Sequence, residues 1–278
     1  MRFCVRLIAA VLICCCLPAM ADDLFPDKNL EEAVRQEVFE KRGKKEPLVE
    51  ADVLSISQVR GKGKKIANLA GLEKCKSLAL LELDNNEISD LAPIKDLKLL
   101  QAVYLANNKI ASIEPLAGLT GLQLLWIQNN QITDAAPLAK LTAMGSLDLS
   151  NNQIKDIAPL AGLTKVHALY LTANPVADFA PLATLKNLQR LDLRNTGISD
   201  LTPLAGHTEW TFLFLSNNKI MEIAPLLAAV KKDLEGQKRF APFFKLYIGD
   251  NPLSDAGKAQ LEELKKLVPS GRIHLTYP

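Results

Sequence analysis

Residues 78–99 read LALLELDNNEISDLAPIKDLKL, and the same pattern returns 22 residues later. Leu78, Leu81, Leu83, Asn86 and Ile88 define L-x-x-L-x-L-x-x-N-x-I. The asparagine column continues through Asn108, Asn130, Asn152, Asn174 and Asn218, with Thr196 the one substitution in that run. A proline recurs at the same spacing, at Pro93, Pro115, Pro137, Pro159, Pro181, Pro203 and Pro225, each followed by Ile94 or a leucine. A unit this short has too little apolar surface to fold alone, so it must stack on its neighbours, and the leucine columns then merge into one core.

Alternation in Leu81-Glu82-Leu83 points every second side chain inward and predicts a short strand, paired in parallel with the strand of the next coil. Where the chain turns after the strand, its backbone groups lose their ladder partners. A buried asparagine carries both donors and an acceptor to replace them, and threonine supplies part of this. The proline fixes its own φ and lacks an amide hydrogen, which suits entry into a short convex segment.

Working outward, a degenerate coil with Ile56, Val59, Ile66, Leu69 and Leu72 precedes the first clean repeat. Lys64 stands in its asparagine position; lysine has no acceptor, so that turn must be built differently. Upstream, Leu30, Val34, Val38 and Phe39 fall at helical spacing within residues 27–40, and Asn29 and Glu32 stand three apart as in a capping box. A second short helix is expected over Val49–Ile56. After Asn218 the next equivalent asparagine is Asn251, 33 residues on, so eleven residues have been inserted between Leu226 and Phe243, where Leu227, Val230 and Leu234 predict a helix. A further helix is expected over Ser254–Leu267 and an edge strand over Arg272–Tyr277. The organisation expected is an export signal at 1–21, a helical N-terminal cap at 22–55, a repeat array at 56–253 and a C-terminal cap at 254–278. Nine coils at strand spacing make an array roughly 43 Å long.

Arg2 and Arg6 precede an apolar run from Leu7 to Leu17 that meets Pro18-Ala19-Met20-Ala21. This is the pattern of a secretory signal cleaved after Ala21, and the run is too short for a membrane span, which needs about 20 residues. The chain is therefore expected to be exported, to periplasm, cell surface or medium, with no integral span in its mature form. Cleavage removes Cys4, Cys14, Cys15 and Cys16 and leaves Cys75, so no intramolecular disulfide framework is expected. It also removes two of the 33 basic residues and none of the 31 acidic ones, leaving a formally neutral chain. Such a chain lacks the net basic field of a nucleic-acid binder, although Lys41, Arg42, Lys44, Lys45, Arg60, Lys62, Lys64 and Lys65 cluster near one end.

The repeat L-x-x-L-x-L-x-x-N-x-I-x-x-x-x-P-L resembles the 22-residue leucine-rich repeats of internalins and of the protein-phosphatase-1 regulatory subunit, over residues 56 to about 253. Phe25-Pro26-Asp27-Lys28-Asn29-Leu30 with Val34-Arg35 is similar to the helical cap of bacterial internalin-like proteins. The resemblance implies an α/β solenoid, a leucine-rich-repeat horseshoe with parallel strands on its concave face and a helix-strand cap at the C-terminus. The sequence departs from surface-anchored internalins in ending at Pro278 without a sorting signal or immunoglobulin-like domain, so wall attachment is not implied.

Strand residues that point away from the core line the concave face, the usual partner surface of solenoids. Between the second and third leucine positions stand Glu82, Tyr104, Trp126, Asp148, Tyr170, Asp192 and Phe214, with Leu80, Leu124, Arg190 and Phe212 on one side and Asp84, Gln128, Arg194 and Ser216 on the other. An exposed line of rings marks an interface, and the candidate partner-binding set is Tyr104, Trp126, Asp148, Tyr170, Asp192, Phe212 and Phe214. Here the rings anchor a protein or peptide and the two aspartates select its basic groups. In the competing reading, the rings merely cover one another along the sheet. Carbohydrate binding and an adhesive or structural role are the alternatives. No metal, cofactor or catalytic residue is expected: His167, His207 and His274 fall in no familiar catalytic spacing, and Gly61-Lys62-Gly63-Lys64-Lys65 lacks that of a phosphate loop.

Overall fold

The computed structural model describes residues 23–275. The expected signal at 1–21 and the last residues of the expected closing strand lie outside them. One ten-stranded parallel sheet runs in strict chain order: β1 (Gln58–Arg60), β2 (Leu80–Glu82), β3 (Ala102–Tyr104), β4 (Leu124–Trp126), β5 (Ser146–Asp148), β6 (Ala168–Tyr170), β7 (Arg190–Asp192), β8 (Phe212–Phe214), β9 (Lys245–Tyr247) and β10 (Ile273–His274). Register follows the sequence period. Leu81 pairs with Val103, and across the long coil Leu213 pairs with Leu246. The middle residue of β1 to β9 is buried while its two neighbours point to the other side, the concave face. On the convex side proline opens single 3₁₀ turns such as Ala92–Ile94 and Ala136–Leu138. An aspartate three residues before five of the seven prolines holds the start of the turn: Asp90 Oδ1 accepts from the Ala92 amide at 2.8 Å, and Asp134, Asp156, Asp178 and Asp200 do the same in their own coils.

The asparagine column ties each coil to the one before it. Asn152 Nδ2 donates to the carbonyls of Leu149 at 2.9 Å, Ile127 at 3.2 Å and Ser150 at 3.3 Å, and its Oδ1 accepts from the Ile132 amide at 3.0 Å. The residue ahead of it matters equally. Asn85, Asn107, Asn129, Asn151, Asn195 and Asn217 all sit at φ between 53° and 58°, a left-handed conformation that asparagine tolerates better than most residues. Ala173 adopts φ 55° in the same place. In the degenerate coil Gly63 takes that position at φ +69°, and Asn86 Oδ1 accepts from the amides of both Lys64 and Ile66, which is how the turn forms without a ladder side chain of its own. Thr196 Oγ1 lies 2.7 Å from Leu193 O and 3.3 Å from Asn218 Oδ1 but does not reach back to the preceding coil, and the Val176 amide turns to Asn174 O instead.

At the N-terminus α1 (Lys28–Glu37) is capped by Asp27, not by the Asn29 and Glu32 pair. Asp27 has extended backbone, whereas Asn29 lies inside the helix. Asp27 Oδ1 accepts from the Asn29 and Leu30 amides, and Oδ2 from those of Ala67 and Asn68, so one carboxylate both starts the cap helix and fastens it to the first coil. Burial works to raise its pKa, but the four amides together hold it below the usual carboxylate value. The helix stops at Glu37, which leaves Phe39 exposed on a 3₁₀ turn rather than in the expected apolar stripe. The second cap helix, α2 (Glu50–Val53), is shorter than expected.

The eleven inserted residues turn a convex segment into α3 (Ala224–Glu235), which packs against α4 (Asp255–Leu267), itself capped by Ser254 Oγ accepting from the Gly257 amide at 3.0 Å. Gly249 is required where the chain closes, because a Cβ there would lie 1.7 Å from Leu275 O. Cys75 is a buried core thiol, and burial pushes its pKa up to about 12, which makes it unreactive. His207 is buried and stacked on Trp210 at 4.8 Å, with burial pushing its pKa down.

Candidate functional site

Parallel register places residues 22 apart side by side on the concave face, so the predicted site residues do share one surface. Their exposure differs along it. In the N-terminal half Trp126 is 37% exposed. Its ring meets Tyr104 edge-on at 5.3 Å, and its Nε1 donates to Ser146 Oγ at 3.2 Å, which fixes the indole without covering it. Glu82 beside them faces Arg60 at 3.5 Å. Tyr104, Asp148, Tyr170 and Phe212 are half-buried. Burial raises the Asp148 carboxyl above its usual range, with the nearby Asp192 charge adding to the effect and hydrogen bonds from Ser150 opposing it. The Tyr170 hydroxyl is raised chiefly by burial as well.

The expectation of a continuously exposed stripe fails at Asp192 and Phe214, which are 3% and 5% exposed. Asp192 is clamped by Arg194, two residues on along the same face: Nε donates to Oδ1 at 2.9 Å and Nη2 to Oδ2 at 2.6 Å, the bidentate geometry that guanidinium favours. Phe214 is covered because Phe212, Phe214, Tyr247 and His274 form a row of stacked rings, with centroid separations of 6.0, 4.7 and 4.5 Å between successive members. At this end of the sheet the rings do cover one another, as in the competing reading. Tyr247, His274 and the neighbouring Lys245 were not among the predicted residues, because the 33-residue coil breaks the period. Yet Tyr247 stands four residues ahead of Asn251, just as Phe214 stands four ahead of Asn218, and counting back from the asparagine finds it. His167 is exposed, one residue before β6.

Among the described residues no group of three or more His, Cys, Asp or Glu is arranged to hold a metal ion, and no helix is long and apolar enough to cross a membrane.

Ten parallel strands in chain order, with a ladder asparagine at most of the turns, define a leucine-rich-repeat solenoid. The family model described as Leucine Rich repeats (2 copies) matches residues 98–140, 146–184 and 186–228. Internalin C2 of Listeria monocytogenes is similar over 91% of this chain and 95% of that one, at 28% identity and a TM-score of 0.63. The chain is thus an internalin-like leucine-rich-repeat protein. A leucine-rich-repeat protein of Leptospira interrogans (20% identity, 74% of this chain and 57% of that one, TM-score 0.63) shares the fold. So does the ectodomain of the Arabidopsis thaliana receptor kinase GASSHO1/SCHENGEN3, solved in complex with CASPARIAN STRIP INTEGRITY FACTOR 2 (20% identity, 76% and 25%, TM-score 0.61). No curated protein matches the chain.

Proposed function

We propose that the protein is an exported binding module that acts by holding a protein or peptide on its concave face rather than by catalysis. Trp126 carries the reading. A large aromatic left more than a third exposed, held in place by a hydrogen bond and a neighbouring ring, is prepared to anchor a partner at little cost in side-chain freedom. Tyr104, Tyr170 and the edge of Phe212 extend the contact along the face, and Asp148 offers a carboxyl in the middle of it. Asp192 and Phe214 belong to the support beneath it. The plant receptor solved with its ligand is a precedent for this fold as a recognition surface. Export rests on the arrangement of residues 1–21, and a fusion of that segment to a reporter active only outside the cytoplasm tests it.

A photo-reactive residue placed at Leu124 on the concave face, or at Lys155 on the outside of the coil, tests the site against envelope and culture-medium extracts. Adducts formed only from Leu124 are expected; equal adducts from both positions would overturn the reading. The exposed indole, with the Asp148 carboxyl in register on the next strand, also suits a sugar ring. Adducts that are absent for proteins but replaced by binding on a glycan array would favour that second reading.

A further inference from the structure

Phe212 lies among cations that form no ion pair with any described residue. The Arg190 guanidinium stands 4.4 Å from its ring centroid and Lys245 Nζ 5.7 Å from it, on the strands to either side. Arg190 also lies over Phe214 at 5.5 Å and Tyr170 at 5.9 Å. Its Nε is buried without a hydrogen-bond partner, and among the described residues neither Arg190 nor Lys245 forms an ion pair. The acid nearest in sequence, Asp192, is turned to Arg194. Cation–π contact compensates a half-buried charge only in part, so an incoming carboxylate would meet cations that the rings already hold in place.

We propose that this end of the concave face, built on Arg190, Lys245 and Phe212, binds an acidic segment of a protein partner. The partner's charge there is opposite to what the aspartates on the same face suggest. Arg190 and Lys245 lie two strands apart, roughly 10 Å, which matches a segment bearing two or more carboxylates better than a single small anion. The inference rests on the concave-face reading above and gives its C-terminal half a charge preference.

Fluorescence anisotropy of labelled hexaglutamate and hexalysine, with the whole protein at low salt, tests it. Hexaglutamate is expected to bind, to weaken at least about tenfold in Arg190→Gln and less in Lys245→Gln, and to recover in Arg190→Lys. Hexalysine should not respond to these changes. Equal hexaglutamate binding by wild type and Arg190→Gln, or tighter binding of an oligonucleotide of equal charge, overturns the proposal. The anisotropy and the Leu124 cross-linking fail independently. Adducts from Leu124 with no response to Arg190→Gln would leave concave binding standing and remove the acidic preference; the converse would keep the anion site and remove the aromatic one.

Discussion

Trp126 and Phe214 occupy the same place in the repeat, four residues ahead of a ladder asparagine, yet one is 37% exposed and the other 5%. The strand after Trp126 offers Asp148 in register, a short side chain that leaves the indole face open; the strand after Phe214 offers Tyr247, which stacks on it at 4.7 Å. Repeat position decides which way a side chain points, and the coils on either side decide whether it meets solvent. One half of the concave face is therefore an open aromatic surface, and in the other Phe214 and the Arg194-clamped Asp192 are covered, with the half-buried Arg190, Phe212 and Lys245 beside them.

The largest expected effect separates the halves by stability. Phe214→Ala should cost about 3 kcal/mol by urea unfolding, whereas Trp126→Ala should stay within about 1 kcal/mol. Similar losses from both would erase the distinction. Next comes the buried carboxylate. Asp192→Asn should cost about 2 kcal/mol, since it leaves Arg194 without its bidentate partner, and a thermal melt that does not move would show the pair to be incidental.

Asp148 tests the boundary between the halves through pH. Its pKa is raised in the folded state, so its favourable contribution exists below its unfolded pKa and is lost as pH rises through the folded value. Asp148→Asn should flatten that part of the stability curve. Asp27 has the opposite sign: its pKa is lowered, so its contribution is present above the unfolded value and is lost as pH falls through the folded one. If the Asp27→Asn and Asp148→Asn variants change the curve in the same sense, the burial argument for Asp148 is wrong. The smallest effect lies in the coil of β6, between the halves, where Ala173 holds φ 55°. Ala173→Gly should stabilise by about 0.5 kcal/mol, and a destabilised variant would mean that the left-handed turn is not strained.

The leucine and asparagine columns made the sheet, its register and the long coil legible in the sequence, because those residues answer to contacts repeated in every turn. The left-handed asparagines and the aspartates ahead of the prolines were in plain view at fixed spacing, but their roles are set by backbone geometry rather than by hydrophobic period. Asn29, three residues ahead of Glu32, offers the same local signal as Asp27, and only the backbone shows that the helix has already begun at Lys28; the bonds from the second Asp27 oxygen to amides forty residues away leave no local signal at all. On the concave face the sequence identified which side chains share the surface. It did not show which are covered, since the burial of Asp192 depends on Arg194 folding back and that of Phe214 on Tyr247, beyond an insertion.

The most direct test of the central claim is the affinity of Trp126→Ala for the protein cross-linked through Leu124, measured against wild type at equal thermal stability. The open half as binding surface predicts an affinity at least about tenfold weaker with an unchanged melting temperature. Undiminished affinity would contradict it.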